Sequence, residues 1–178
     1  MPSNTQIFNK YPNNIFIETG SYIGDGIQQA LDAGFSKVIS IELSEKYYKI
    51  SKERFIDNPN VEVVLGDSYQ VLPDVLKDIN EPITFWLDGH NSGDDTGYGE
   101  FMVPLIQELD AIKEHIIKTH TILIDDMRLW PDVDAEQDEF IGFHKDDIFN
   151  KLFELNPEYK LSYEDGYEEN DILVARVA

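Results

Sequence analysis

Residues 15–26 read IFIETGSYIGDG, an apolar run that passes directly into a glycine-rich turn. The run predicts a buried strand over 15–19, and the pattern from 24 to 33 predicts a helix straight after the turn. Glycines at such a turn let a ligand approach the backbone, while the first helical turn exposes free N–H groups. The segment therefore predicts the first strand–turn–helix unit of an α/β fold, with a ligand site at the turn.

The same alternation continues outward from this unit almost to the C-terminus. Further strands are predicted at 37–42, 61–66, 83–88 and 121–125, with helices at 45–55, 68–79 and 101–118. The last of these helices carries Leu105, Leu109, Ile112 and Ile116 on one face. A helix over 146–155 then precedes strands at 159–164 and 171–177, whose short connection requires antiparallel pairing. The pattern predicts a doubly wound α/β fold with a seven-stranded sheet, mostly parallel with a C-terminal antiparallel hairpin.

Length and composition limit the classes of protein to consider. The 178 residues predict one domain spanning 1–178, and a hydrophobic content of 42% excludes disorder for most of the chain. Without cysteine there is no disulfide and no thiolate site. A net charge of -21 argues against nucleic acid or an anionic membrane as partner. No signal peptide or long apolar segment is apparent, so we expect a soluble, cytoplasmic protein.

The glycine turn does not match the common phosphate-binding motifs. Gly20, Gly24 and Gly26 lack the spacing of a dinucleotide fingerprint, and the turn has no P-loop lysine. Glu18 stands at its entrance, where a carboxylate would repel pyrophosphate but could pair with a cationic ligand. The turn therefore favours a ligand with a positively charged, non-phosphate group.

Acidic residues also end the second and third predicted strands. Glu42 could accept hydrogen bonds from both hydroxyls of a ribose, while Asp67 and Ser68 could meet an adenine amino group. Because the carboxyl ends of parallel strands share one edge of a sheet, these residues should lie near Glu18. A nucleoside with a cationic tail, such as S-adenosylmethionine, fits that arrangement.

The motifs ETGSYIGDG, SIELS and VVLGDS, in this order, resemble those of the class I S-adenosylmethionine-dependent methyltransferases. The resemblance extends over nearly the whole chain from Ile15 and includes the terminal hairpin, although the usual loop is a more compact GxGxG. It implies a Rossmann-like fold with S-adenosylmethionine as cofactor. The cofactor-binding residues it implies are Glu18, Gly20, Ser21, Tyr22, Gly24, Glu42, Leu43, Asp67, Ser68 and Asp88.

Strands four and five end in FWLDGH and ILIDDMR, which brings Asp88, Asp125 and Asp126 to one rim. Three carboxylates there suit a hard cation such as Mg²⁺. The trio resembles the metal aspartates of the Mg²⁺-dependent sugar O-methyltransferases of macrolide biosynthesis. As an alternative, Asp125 or Asp126 caps the next segment. Asp88 and His90 are the candidate catalytic residues, with His90 as general base or as a surface residue.

These features lead to metal-assisted O-methylation of a small-molecule or sugar hydroxyl as the expected function. The partners expected are a small-molecule substrate and, as an open alternative, further copies of the chain. A non-catalytic nucleoside- or S-adenosylmethionine-binding module is the second hypothesis, and an acidic mimic of nucleic acid is the third. We expect Phe85 and Trp86 in the core, and Tyr98 and Trp130 on loops beside the pocket, where either could support a substrate.

Overall fold

The structure is a computed structural model that describes residues 4–89, 99–101, 103–130 and 144–178. Its strands are β1 (Ile15–Thr19), β2 (Lys37–Glu42), β3 (Val61–Leu65), β4 (Ile83–Leu87), β5 (Thr121–Ile124), β6 (Lys160–Glu164) and β7 (Ile172–Arg176). Its helices are α1 (Thr5–Phe8), α2 (Asp25–Asp32), α3 (Glu45–Arg54), α4 (Ser68–Leu76), α5 (Leu105–Glu114) and α6 (Lys145–Leu155), with a 3₁₀ helix at Met127–Leu129.

The seven described strands form one sheet in the order β3-β2-β1-β4-β5-β7-β6. The strands β1 to β5 pair parallel, whereas β7 pairs antiparallel with both β5 and β6. This topology confirms the predicted mostly parallel sheet with a C-terminal antiparallel hairpin. The strand order reverses where β1 and β4 lie side by side, which is the position at which doubly wound sheets bind ligands.

Both faces of the sheet are buried, and alternate residues of each central strand supply the two cores. In β1, Ile15 and Ile17 belong to the core under α4, α5 and α6, while Phe16 packs with Phe8 and Phe35 on the opposite face. Phe85 and Trp86 are both buried, as the sequence predicted. None of the helices within the described ranges combines the length and the apolar character needed to cross a membrane.

The helix predicted over 101–118 is shorter than expected. It begins at Leu105 behind Pro104 and ends at Glu114, because proline disfavours helical backbone at the residue before it. At the other end, His115 takes an extended conformation, so Ile116 leaves the helix and is 71% exposed. The prediction that Ile116 shares the buried helix face is therefore wrong, whereas Leu105, Leu109 and Ile112 are buried. Sequence analysis also missed α1 and the 3₁₀ helix.

Two buried histidines connect the ends of β4 and β5 that lie away from the carboxyl-end rim of the parallel strands. Ile83 N–H donates to His120 Nδ1 at 3.1 Å, so this nitrogen carries no proton. His120 Nε2–H then donates to His115 Nδ1 at 2.9 Å, and His115 Nε2–H donates to the Ile79 carbonyl at 2.8 Å. A proton on His120 Nδ1 would face the Ile83 N–H, so the contact is built for a neutral His120 ring.

This arrangement predicts a loss of stability on acidification. Burial and the neighbouring His115 lower the pKa of His120 to about 3, against about 6.5 in the unfolded chain. The stabilisation is thus present above pH 6.5 and is lost as the pH falls towards 3, by about 1.4 kcal/mol per pH unit.

The quantity to compare is the unfolding free energy of the parent minus that of His120→Asn. We expect this difference to be about 2 kcal/mol smaller at pH 5 than at pH 7. Urea denaturation of both proteins at the two pH values measures this difference. Carboxylates whose pKa values are shifted are present in both proteins, so their effect cancels in this difference. An equal difference at the two pH values would contradict the assignment of a neutral His120 ring.

Candidate cofactor and metal site

The glycine turn after β1 lies directly against the end of β4. Gly20 has φ +89°, and a Cβ added to it would lie 2.7 Å from the Asp88 carbonyl oxygen. Its N–H donates to the Ile41 carbonyl of β2 at 2.9 Å. The structure therefore brings the predicted glycine turn and the predicted catalytic Asp88 together where the strand order reverses.

Replacement of Gly20 by alanine should destabilise the protein more than replacement of Gly34. Both glycines have positive φ, near +90°, but a Cβ on Gly34 would have no atom within 4 Å. Each alanine incurs about 1–2 kcal/mol of left-handed backbone strain, and Gly20→Ala adds a backbone clash of about 1–3 kcal/mol. Urea denaturation of the two variants measures the difference. Equal destabilisation would show that the turn moves freely away from Asp88.

Glu18 lies beneath the turn rather than at its open entrance. Its side chain is 1% exposed and accepts a hydrogen bond from Ser40 Oγ at 2.6 Å, while the Ser21 hydroxyl pairs with Ser40. A Cβ on Gly26 would overlap the Glu18 carboxylate. Burial raises the pKa of Glu18 to about 8. Glu18 supports the turn from below, and its pairing with a cationic ligand stays a prediction.

Glu42, at the end of β2, holds the outer part of the turn. Its Oε2 accepts the Tyr22 N–H and its Oε1 accepts the Ser44 N–H, both at 2.8 Å. Burial raises the pKa of Glu42, and these backbone donors oppose the shift. The backbone N–H groups of Leu43 and Ser21 also act on this carboxylate and lower its pKa. The side chains of Tyr22 and Leu43 are exposed here and offer apolar surface beside the carboxylate.

Asp67 and Ser68 point in different directions at the start of α4. Asp67 Oδ2 accepts the Glu100 N–H at 3.3 Å, and Gly99 packs close to both Asp67 and Leu43. The Ser68 hydroxyl instead donates inward to the buried carboxylate of Glu108. Asp67 thus lies beside the apolar surface of Leu43, whereas the described contact of Ser68 is with the protein interior.

An acidic pocket opens next to Asp88, between the ends of β4 and β5. Its lining combines carboxylates with apolar side chains and includes Leu87, Asp88, Gly89, Val103, Leu105, Glu108, Ile124, Asp125, Asp126 and Trp130. Burial, with Asp88 and Asp126 nearby, raises the pKa of Asp125 to about 7. Trp130 is buried in the pocket wall, while His90 and Tyr98 lie outside the described residues. The pocket is thus suited to a cation or a neutral ligand.

The structure groups Asp125 and Asp126 with Asp171, a residue that sequence analysis did not select. One carboxylate oxygen from each of the three lies within 4.8 Å of the others. Arg128 forms ion pairs with both Asp126 and Asp171, and its backbone N–H donates to Asp171 Oδ1 at 3.0 Å. Asp88 lines the same pocket as Asp125 and Asp126. These oxygen donors fit Mg²⁺, and Arg128 now neutralises part of their charge.

Comparison with solved structures identifies the fold. An O-methyltransferase from Bacillus cereus, solved with SAH, superposes with TM-score 0.72 and 15% identity over 100% of this chain and 82% of its own. The O-methyltransferase TomG from Streptomyces achromogenes, solved with SAM, superposes with TM-score 0.65 and 12% identity over 98% of this chain and 78% of its own. The chain has the class I methyltransferase fold. The SAH-bound methyltransferase PaMTH1 of Podospora anserina also matches, with TM-score 0.59, 12% identity and coverage of 93% and 72%. No protein-family model and no curated protein matches the sequence.

Within this methyltransferase fold, three further polar residues at the site escaped sequence analysis. Glu108 lies one position before Leu109 on the buried face of α5, so a carboxylate on an apolar helix face was the available signal. Asp171 precedes β7 and Arg128 lies in the 3₁₀ helix. Nothing in the local sequence indicates that these two residues pair, because the contact depends on the placement of β7 beside β5.

Proposed function

We propose that this chain is an S-adenosylmethionine-dependent methyltransferase that methylates a hydroxyl of a small molecule or sugar, assisted by a divalent cation. The observation that carries the proposal is the meeting of the Gly20 turn, Glu42 and Asp88 at the reversal of the strand order. Two neighbours of this fold are O-methyltransferases solved with SAM or SAH. Ligands of doubly wound sheets bind at this crevice.

On this proposal, Glu42 accepts the two ribose hydroxyls, and the exposed side chain of Leu43 lies against the adenine ring. Asp67, beside Leu43, accepts from the adenine amino group. The turn at Gly20, which is in contact with the end of β4, lies against the methionine part. The bound cofactor supplies a methyl group on a positively charged sulfur, which the carboxylates of this rim favour.

The acceptor occupies the pocket lined by Asp88, Asp125 and Trp130. Asp88, Asp125 and Asp126 would hold the cation, which supplies a Lewis acid that lowers the pKa of a hydroxyl. For this ligand set, Asp126 must separate from Arg128. Holding the two reactants side by side accounts for much of the expected acceleration. We propose His90 as general base and a small molecule, rather than nucleic acid, as the partner.

Calorimetric titration with S-adenosylmethionine and S-adenosylhomocysteine tests the cofactor site. We expect saturable binding with one site per chain, and absence of binding at millimolar concentration would exclude the proposal. Transfer from methyl-labelled cofactor into fractionated small molecules, with Mg²⁺ or with EDTA, then tests the reaction. Cofactor binding without transfer into any fraction would favour the non-catalytic binding module, and transfer that is unchanged in EDTA would remove the cation from the mechanism.

A further inference from the structure

One buried carboxylate, that of Glu108 in α5, joins the two halves of the site. It is 1% exposed and accepts hydrogen bonds from the hydroxyls of Ser68 and Thr19. Thr19 Oγ1 in turn accepts the Asp88 N–H at 3.3 Å. A continuous chain of hydrogen bonds therefore runs from the start of α4, through Glu108 and the end of β1, to the backbone at the end of β4.

The packing around Glu108 leaves little room for any other arrangement. A Cβ on Gly89 would lie 3.0 Å from Glu108 Oε1 and 3.0 Å from Thr19 Oγ1. The residue after Asp88 is thus in direct contact with the carboxylate and with the threonine that orients it. Displacement of Glu108 would free both Ser68 and the β4 end at once.

Stability alone does not account for a carboxylate at this position. Its neighbours on the same helix face are Leu105, Leu109 and Ile112, all buried. A buried ionisable group is costly relative to an apolar side chain of similar volume, and desolvation raises the pKa of Glu108 to about 7. A leucine at this position would continue the apolar face, so the hydrogen-bonded carboxylate is explained by what it orients.

We infer that Glu108 is a positioning residue for methyl transfer, which fixes the Asp67–Ser68 turn on the cofactor side relative to Asp88 on the acceptor side. This inference rests on the proposed function, since it requires that both groups serve one reaction. Glu108 acts through Ser68 and Thr19, because its carboxylate accepts the hydroxyls of both residues.

The test compares S-adenosylhomocysteine binding by the parent, Glu108→Ala, Glu108→Gln and the control Glu114→Gln, each in the full chain. Glu114 is an exposed glutamate on the same helix. We expect Glu108→Ala to bind about 10- to 100-fold more weakly, with a smaller loss for Glu108→Gln, which keeps an acceptor for Ser68. The Glu114→Gln variant should bind like the parent. If Glu108→Ala fails to fold, Glu108→Gln alone decides, and parent-like binding by it overturns the inference.

A double-mutant cycle with Ser68→Ala separates positioning from packing. If Glu108 acts through Ser68, the loss of affinity in the double variant will be smaller than the product of the two single losses. A purely structural role predicts a lower melting temperature with unchanged affinity of the folded protein, or independent losses, and either result overturns the inference. A parent that does not bind S-adenosylhomocysteine at all removes the proposed function, and this inference with it.

Discussion

Replacing Glu42 with alanine is expected to weaken S-adenosylmethionine binding by about 30- to 1000-fold, or about 2–4 kcal/mol. Hydrogen bonds to a charged group contribute about 1.5–3 kcal/mol each, and water compensates for part of the loss. The same carboxylate accepts the Tyr22 and Ser44 N–H groups. Its removal therefore also loosens the turn on which the cofactor would lie. Calorimetric titration of the folded variant measures the effect.

Two further variants assign the loss to its cause. Glu42→Gln keeps the shape and an acceptor but loses the charge, so an intermediate affinity is expected. Glu62→Ala removes a glutamate from the neighbouring strand β3, where the side chain is exposed and pairs with Lys37 at 3.7 Å. It should bind the cofactor like the parent. Parent-like binding by Glu42→Ala would place the ribose elsewhere on the rim.

Local patterns were enough to predict the strands and their acidic ends. Apolar runs specify strands wherever both sheet faces are buried, and the carboxyl ends of parallel strands share one rim. For this reason Gly20 and Asp88, which are far apart in sequence, could both be assigned to the strand-end rim, and in the structure they are in contact. The prediction needed only the order of strands and helices.

Contacts made through the antiparallel hairpin could not be predicted in this way. The sequence indicates that β6 and β7 pair with each other, but not that β7 also pairs with β5, where Leu123 lies opposite Val174. That pairing brings Asp171 beside Asp126 and lets Arg128 bridge them. The contact of Glu108 with Ser68 likewise depends on how α5 packs against α4, which no local pattern encodes.

The second large effect is expected at the acidic pocket, because its carboxylates repel one another when no metal ion is bound. Burial and the neighbouring Asp88 and Asp126 raise the pKa of Asp125 to about 7, from about 3.9 in the unfolded chain. The folded state therefore binds the Asp125 proton more tightly than the unfolded chain does. The stabilisation that this proton gives is complete below pH 3.9 and is lost as the pH rises through 7, by about 1.4 kcal/mol per pH unit.

The double variant Asp125→Asn, Asp126→Asn should be more stable than the parent without metal, and should gain less stability than the parent when metal is added. In EDTA near pH 8 we expect it to exceed the parent in unfolding free energy by about 1–3 kcal/mol, because the like charges are gone while Arg128 still pairs with Asp171. With Mg²⁺ or Mn²⁺ at about 100 times the dissociation constant, the parent should gain about 2.7 kcal/mol. The variant should lose most of this gain, as measured by denaturant titration.

Screening is the competing explanation, since divalent ions also reduce repulsion within a chain of net charge -21. The control Asp74→Asn, Asp78→Asn removes two exposed carboxylates near the C-terminal end of α4, neither of which lines the pocket. It should keep the full response to Mg²⁺, with a logarithmic dependence on metal concentration. If the two double variants respond alike, the ions act by screening alone. The pocket would then hold the acceptor without a metal, and Arg128 would keep its ion pairs with Asp126 and Asp171.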